Sequence, residues 1–269
     1  MRRPIAAAAM GVLFVCCVPM SAAAMPAPTL AEILTHPRRN NDRIRDQYRH
    51  PADVLEFCDV RPGMTVADYM PAGGFYTRIL VPWLGATGRY VGLTPDPSSS
   101  GLDKYKDFFA ALPGPSRKEL ADWRLPGAPA SILAMQEVPG TYDGTVDRIL
   151  LIREMHVLLG ARALQGELTR LRRMLKPGGA LCVIQHRARP WADGDYTDGS
   201  KGYMRQSDVI GLIEAYGFQL LETSEVNANP RDPADHPEGV WGIPPVMAGA
   251  MSSQAIGDSD HMTLKFRKR

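Results

Sequence analysis

The sequence is short of several things, and each shortage excludes a class of protein. Only 4 of its 269 residues are cysteine, and Cys16 and Cys17 fall in the first apolar stretch, so a disulfide-stapled scaffold is excluded. Charge of one sign is not in excess either, with 31 Lys and Arg against 29 Asp and Glu. Without a strong basic field, nucleic acid is not an expected partner. Beyond residue 20 no apolar run approaches the roughly 20 residues that a membrane-spanning helix needs. The scattered His36, His50, His236 and His261 show no metal-ligand spacing, and no metal is expected. What is present, 45% hydrophobic and 22% charged residues, suits one globular domain with a substantial core.

The first residues, MRRPIAAAAMGVLFVCCVPMSAAAM, set Arg2 and Arg3 before an apolar stretch from Ile5 to Met20 and end in small residues at Ala22 and Ala24. This is the grammar of a cleaved signal peptide over residues 1–24, and it predicts an exported, periplasmic or secreted protein. A membrane anchor is the alternative; the run is short for one and Pro19 interrupts it. Leu13, Phe14 and Val15 lack the small residue that precedes a lipidated cysteine. Removing Arg2 and Arg3 leaves bases and acids equal at 29, and the basic tail Lys265, Arg267, Lys268, Arg269 reads as a solvated strand end. Cys58 and Cys182 remain. They can pair in an oxidising compartment, but their apolar contexts suit buried hydrophobes better.

Residues 25–41 read as a polar, proline-punctuated arm, and residues 42–269 as the folded domain. Asn41 or Asp42 is placed to cap a helix beginning DRIRDQYRH, and Pro51 to open a second, PADVLEFC. Five apolar runs read as strands: 64–70, 89–94, 130–135, 146–152 and 180–186. Helical patterns separate most of them. In the clearest, Leu164, Leu168, Leu171 and Leu175 make one stripe opposite Arg170, Arg172 and Arg173, with Pro177 and Gly178 as the stop. A second, SDVIGLIEAYGF, has Ser207 or Asp208 as cap and Gly217 at its end. Strands apolar on both faces alternating with helices predict an α/β fold with a Rossmann-like, doubly wound sheet. The last third changes: FQLLETSEV and HMTLKFRKR read as a strand pair, and residues 227–258 between them as a wall or lid over a site.

In such a sheet the first strand-to-helix turn lets backbone approach a ligand. Here it is PAGGFYT, where Gly73 and Gly74 supply missing Cβ atoms and access to positive φ, and Asp68 brings a carboxylate to the strand end. Together VDRILLIREMH and ALQGELTRLRRMLKPGGALCVIQHRA resemble the fourth strand, following helix and fifth strand of class I S-adenosylmethionine-dependent methyltransferases. A narrower group, secreted predicted methyltransferases, is resembled through HPRRNNDRIRDQYRHP, MPAGGFYT, QHRA, NANPRDPADHPEGVWGIPP and AIGDSDHMTLKF. The resemblance implies about seven strands with an antiparallel C-terminal strand. It also implies S-adenosylmethionine as cofactor, with Asp68, Pro71, Gly73, Gly74, Tyr76, Thr94 and Asp96 as the residues that would meet it.

Two departures from the family pattern weigh against a fully formed site. Aligned on Asp68, the glycine positions of the family's acid-then-G-x-G-x-G motif fall on Met70, Ala72 and Gly74, so only the last glycine is kept. The acid that ends the second strand in the family falls on Thr94, with Asp96 two residues late; Glu137 is the nearest acid after the third strand. A left-handed Ala72 would cost about 1–2 kcal/mol. Methyl transfer from a sulfonium needs mainly an aligned nucleophile, so a general base is optional. His156 and His186, at the ends of the fourth and fifth strands, are the candidate catalytic groups. The leading expectation is a methyltransferase acting on a small or envelope-associated acceptor. Its rival is a non-catalytic ligand-binding protein on a degenerate methyltransferase fold. A nicotinamide-dependent oxidoreductase is disfavoured by the lack of G-x-G-x-x-G.

Overall fold

Runs that are apolar on both faces can be satisfied only by a sheet covered from both sides, and the computed structural model has that arrangement. It describes residues 27–246 and 251–269; the expected signal peptide over residues 1–24 lies outside them. The strands are β1 (Thr65–Tyr69), β2 (Arg89–Thr94), β3 (Ala130–Ala134), β4 (Val146–Ile152), β5 (Leu175–His186), β6 (Phe218–Ser224) and β7 (His261–Lys268). They form one seven-stranded sheet in the order β3-β2-β1-β4-β5-β7-β6. The first five pair in parallel, and β7 runs antiparallel between β5 and β6. The helices, in chain order, are α1 (Leu30–Thr35), α2 (Asn40–Arg43), α3 (Asp46–Arg49), α4 (Pro51–Phe57), α5 (Thr77–Leu84), α6 (Asp103–Ala111) and α7 (Pro113–Trp123). They continue with α8 (Met155–Gly160), α9 (Leu164–Met174), α10 (Gly194–Thr197) and α11 (Gln206–Ala215).

Alternate residues of each strand feed opposite cores. Val66, Leu150, Cys182 and Ile184 pack with Val54 and Leu55 of α4 and Ile79, Leu80 and Leu84 of α5. Ala67, Ile149, Leu151, Leu181 and Val183 pack with Leu168 and Leu171 of α9 and Val209 and Ile213 of α11. Cys58 and Cys182 are free, buried thiols in the first of these cores. Burial, with Cys182 hydrogen-bonded alongside, pushes the Cys58 thiol up.

Local differences from the sequence reading have local causes. The arm holds α1, whose Thr29 and Glu32 form a reciprocal capping box and whose Ile33 is buried against the α5 core. The helix expected from Asp42 is two single turns, α2 and α3, and its Arg49 is drawn into the interior by Asp258. Helix α9 stops at Met174, before Pro177, because Leu175 is already extended and fully buried as the first residue of β5. The register between β4 and β5 then jumps from Val146/Leu175 to Arg148/Ala180, so the Lys-Pro-Gly-Gly stretch is a bulge, with Gly178 at φ 77. Helix α11 is preceded by Arg205 without a side-chain cap. The excursion after β6 is fastened by Asp232, which accepts from Tyr203 Oη at 2.7 Å, Asp260 N at 2.7 Å and Ala234 N at 2.9 Å.

Candidate active site

Strand order reverses at β1, whose neighbours β2 and β4 lead to opposite halves of the sheet, so a crevice opens beyond their carboxyl ends. The turn leaving β1 is left-handed at Met70 (φ 52), Ala72 (φ 45) and Gly74 (φ 73). These are the three positions where the G-x-G-x-G pattern falls. The loop therefore keeps the conformation of a glycine turn while two of its three residues pay for it in Cβ strain. Met70 N–H donates to Leu93 O at 2.8 Å and Gly74 N–H to Pro71 O at 2.9 Å, bonds that hold the strained backbone in place. Gly73 is exposed and a Cβ there would meet nothing within 4 Å, which leaves its backbone open to a ligand. Gly74 is not open: a Cβ there would strike the Trp123 indole, which also stacks under Arg78 at 4.7 Å.

Asp68 ends buried on the α5 side of the sheet. Tyr90 Oη donates to its Oδ2 at 3.0 Å and lies 2.7 Å from Thr77 Oγ1. Burial raises the Asp68 carboxyl to about 7. At the end of β2, Thr94 is buried and its Oγ1 has no hydrogen-bond partner among the described residues. Asp96 is occupied: Ser98 N and Oγ donate to Oδ1 at 2.8 and 2.7 Å, and Arg170 donates to Oδ2 at 2.8 Å. Pro71 lies against the Gly92 backbone, close enough that a Cβ on Gly92 would come within 3.2 Å of its ring. Glu137 accepts from Ala134 N at 2.9 Å and pairs with Arg117, so it too is committed.

The other half of the crevice is a cavity of about 430 Å³ past the ends of β4 and β5. It gathers His156 and His186 with Arg49 and Arg153 under a wall made by Trp241 and Pro244–Val246 of the excursion. Tyr76 joins Arg49, Arg153 and His261 in a small adjoining pocket. The structure thus brings His156, His186 and Tyr76 to one end of the crevice, and Asp68, Thr94 and the loop glycines to the other.

Hydrogen bonds fix what the histidines offer. Gln185 Nε2 donates to Gly202 O at 2.7 Å, which orients the amide, and lies 3.3 Å from His156 Nδ1. With an N–H facing it, Nδ1 accepts, so the neutral His156 ring carries its proton on Nε2. Burial holds His156 down to about 4. His186 Nδ1 lies 2.5 Å from Ser259 Oγ, which is 3.2 Å from His261 Nε2. The hydroxyl donates to one ring and accepts from the other, and burial keeps both rings neutral, with His261 at about 4. Glu154, at the end of β4, is raised to about 8 by burial. Sequence reasoning placed His156 and His186 but missed Arg49, Arg153, Gln185 and Ser259. All four lie in stretches that carry the family resemblance, but nothing in those stretches singles out Arg49, Arg153, Gln185 or Ser259 as site residues.

No protein-family model matches the sequence. No curated protein matches it by sequence. Solved structures do match in fold. One is a chain of the Haloferax volcanii complex between a methyltransferase activator and a methyltransferase, at 14% identity and TM-score 0.53, covering 86% of this chain and 93% of that one. Another is geranyl diphosphate C-methyltransferase from Streptomyces coelicolor A3(2), solved with Mg²⁺, geranyl diphosphate and S-adenosyl-L-homocysteine. It matches at 12% identity and TM-score 0.53, covering 89% of this chain and 86% of that one. The fold is that of class I methyltransferases. At these identities the likeness concerns the fold, and the expected seven strands with an antiparallel C-terminal strand are all present.

Proposed function

We propose that the protein is an exported S-adenosylmethionine-dependent methyltransferase whose acceptor enters the cavity beside His156 and His186. The observation that carries this reading is the loop after Asp68, left-handed at Met70, Ala72 and Gly74 although only one of the three is glycine. Strain of about 1–2 kcal/mol at each non-glycine position is retained where a backbone shape has a use. The residues fit the methionine half of the cofactor: Asp68 offers a carboxyl to an ammonium or hydroxyl group, and Gly73 an uncovered backbone. Thr94 Oγ1, buried without a partner, fits a ribose hydroxyl. Asp96 does not fit unless it gives up Ser98 and Arg170.

S-adenosylmethionine, when bound, supplies an electrophilic methyl group. The chain's part is to hold the acceptor and take up its proton. His156 presents Nε2–H as a donor that orients an acceptor oxygen or nitrogen. His186 turns Nδ1 to Ser259, which leaves Nε2 for the acceptor's proton. When Nε2 takes that proton, Nδ1–H can pass to Ser259 Oγ and the hydroxyl proton to His261 Nε2. The positive charge then moves away from the reacting centre toward Asp258, whose charge favours protonated His261.

A second reading, a non-catalytic binding protein on this fold, is favoured by the commitment of Asp96 and by the Trp123 indole packed on Gly74. Calorimetric titration with S-adenosylhomocysteine separates the two. The enzyme reading expects saturable binding that Asp68→Ala abolishes without unfolding the chain. Binding unaffected by Asp68→Ala, or absent in the folded wild type, removes the assignment.

A further inference from the structure

The 430 Å³ cavity sets three arginines, Arg45, Arg49 and Arg153, against two carboxyls, Asp258 and Glu154, and burial raises Glu154 to about 8. Arg49 is 6% exposed, its Nε donates to Asp258 Oδ2 at 3.1 Å, and its Nη1 is buried with no partner among the described residues. Arg153 lines the same cavity and has no ion-pair partner among the described residues. Arg45 must share Asp42 with Arg78, at 2.6 and 2.7 Å. Burial, then the charge of Arg153 and, more weakly, of Arg45, hold the Arg49 guanidinium down to about 10 despite Asp258. Guanidinium groups crowded out of water repel one another, and an anion between them relieves the repulsion while satisfying the orphaned N–H. The mouth is different in character: Phe108, Trp241 and Val246 line it at 43%, 37% and 57% exposure. The cavity is apolar at its rim and cationic at its floor.

We infer that this cavity takes its ligand by a carboxylate- or phosphate-type oxyanion seated between Arg49 and Arg153, with an apolar body against Phe108, Trp241 and Val246. The planar, multiply donating guanidinium suits such an oxyanion better than an ammonium would. His156 Nε2–H is a further donor at the same cavity. The inference rests on the methyltransferase reading only for which molecule brings the oxyanion, a methyl acceptor or the methionine carboxylate of the cofactor.

The test titrates inorganic phosphate and benzoate calorimetrically into the full chain, with ionic strength held constant by chloride. Saturable one-to-one binding is expected, weakened at least tenfold in Arg153→Gln and by less, severalfold, in Arg153→Lys. Because Arg49→Gln breaks a buried ion pair, Arg49→Lys serves at that position, with binding expected to weaken severalfold while the fold persists. S-adenosylhomocysteine titrated into the same proteins assigns the source. If its affinity falls with Arg153→Gln and it competes with phosphate, the oxyanion is the cofactor's carboxylate; if neither holds, it belongs to the acceptor. Absence of saturable anion binding, or binding indifferent to Arg153→Gln, overturns the inference even where S-adenosylhomocysteine binds. Anion binding without S-adenosylhomocysteine binding leaves the inference standing and removes the methyltransferase reading.

Discussion

Ala72 and Thr94 are single residues that break the family pattern, and the structure changes what each is expected to do. Ala72 already sits at φ 45, so its strain is present whether or not a ligand is bound. Ala72→Gly should then act on stability and not on affinity. Relief of about 1–2 kcal/mol, less the roughly 0.5–1 kcal/mol that glycine's extra freedom costs on folding, leaves a gain of up to about 1.5 kcal/mol. Urea unfolding should show it, with S-adenosylhomocysteine affinity unchanged within about twofold; a large gain in affinity would mean that the loop reaches this shape only on binding. Thr94 poses the opposite case. Its buried hydroxyl has no partner, so Thr94→Val removes an unsatisfied group and should stabilise the folded chain by about 1 kcal/mol. If the hydroxyl is kept for a ribose, the same variant binds S-adenosylhomocysteine more weakly. An unchanged affinity would release Thr94 from the site. Sequence alone marks both residues as departures, since the motif positions are countable. It does not reveal that Met70 and Ala72 keep the glycine conformation, because φ at a non-glycine residue is imposed by neighbours such as Leu93 O.

The elements that periodicity describes well are those whose neighbours are regular. β2 and β4 occupy the expected spans, and the leucine stripe of α9 packs on the sheet through Leu168 and Leu171. Legibility fails where a distant partner overrides local propensity. Leu175 leaves its helical stripe because β4 offers it a buried place beside Val146. Around the short α2 and α3, Arg39, Arg45 and Arg49 all turn toward the Phe75 ring, each at 5.1 to 5.2 Å. The excursion was legible as a wall by its length alone; that it supplies Asp258 to Arg49 was not, since 209 residues separate the two. That ion pair ties α3 to the segment entering β7, and both side chains are buried, at 6% and 5% exposure. Removing one partner of a buried pair strands the other charge. Asp258→Ala is therefore expected to destabilise the chain by about 3–5 kcal/mol, measured by urea unfolding. It should also raise protease sensitivity within residues 40–49 before the rest of the chain. A loss under about 1 kcal/mol would show that Arg49 finds another partner and that the two elements are not coupled through it.

Over the whole molecule, the crevice concentrates titratable groups shifted by burial, and they pull stability in opposite directions. His186 is held well below its ordinary value, and His156 and His261 near 4, all chiefly by burial. Between that value and the ordinary histidine value, about 6.5, the unfolded chain binds protons that the folded chain refuses, so these groups favour folding less as the pH falls. Asp68, raised to about 7, and Glu154, raised to about 8, work the other way. Below those values the folded chain keeps protons that the unfolded chain has lost, and the resulting stability disappears as the pH rises through them. The two sets oppose each other below pH 6.5, where they partly cancel. Above it the unfolded histidines lose their protons as well, and the carboxyls come to dominate. Stability should fall between pH 6.5 and 8, by up to about 1.4 kcal/mol per pH unit for each carboxyl still protonated in the fold. Asp68→Asn should remove its share of that slope. Ligand binding is expected to run in the opposite sense, because a carboxylate holds an ammonium better than a carboxylic acid does. S-adenosylhomocysteine affinity should therefore rise as the pH passes 7, in the window where stability declines. Calorimetry and urea unfolding on the same samples at pH 6, 7 and 8, for wild type and Asp68→Asn, test both limbs together. If affinity and stability change in the same direction in the wild type, or if the affinity slope survives in Asp68→Asn, the buried carboxyl at the end of β1 is not the group that the ligand meets.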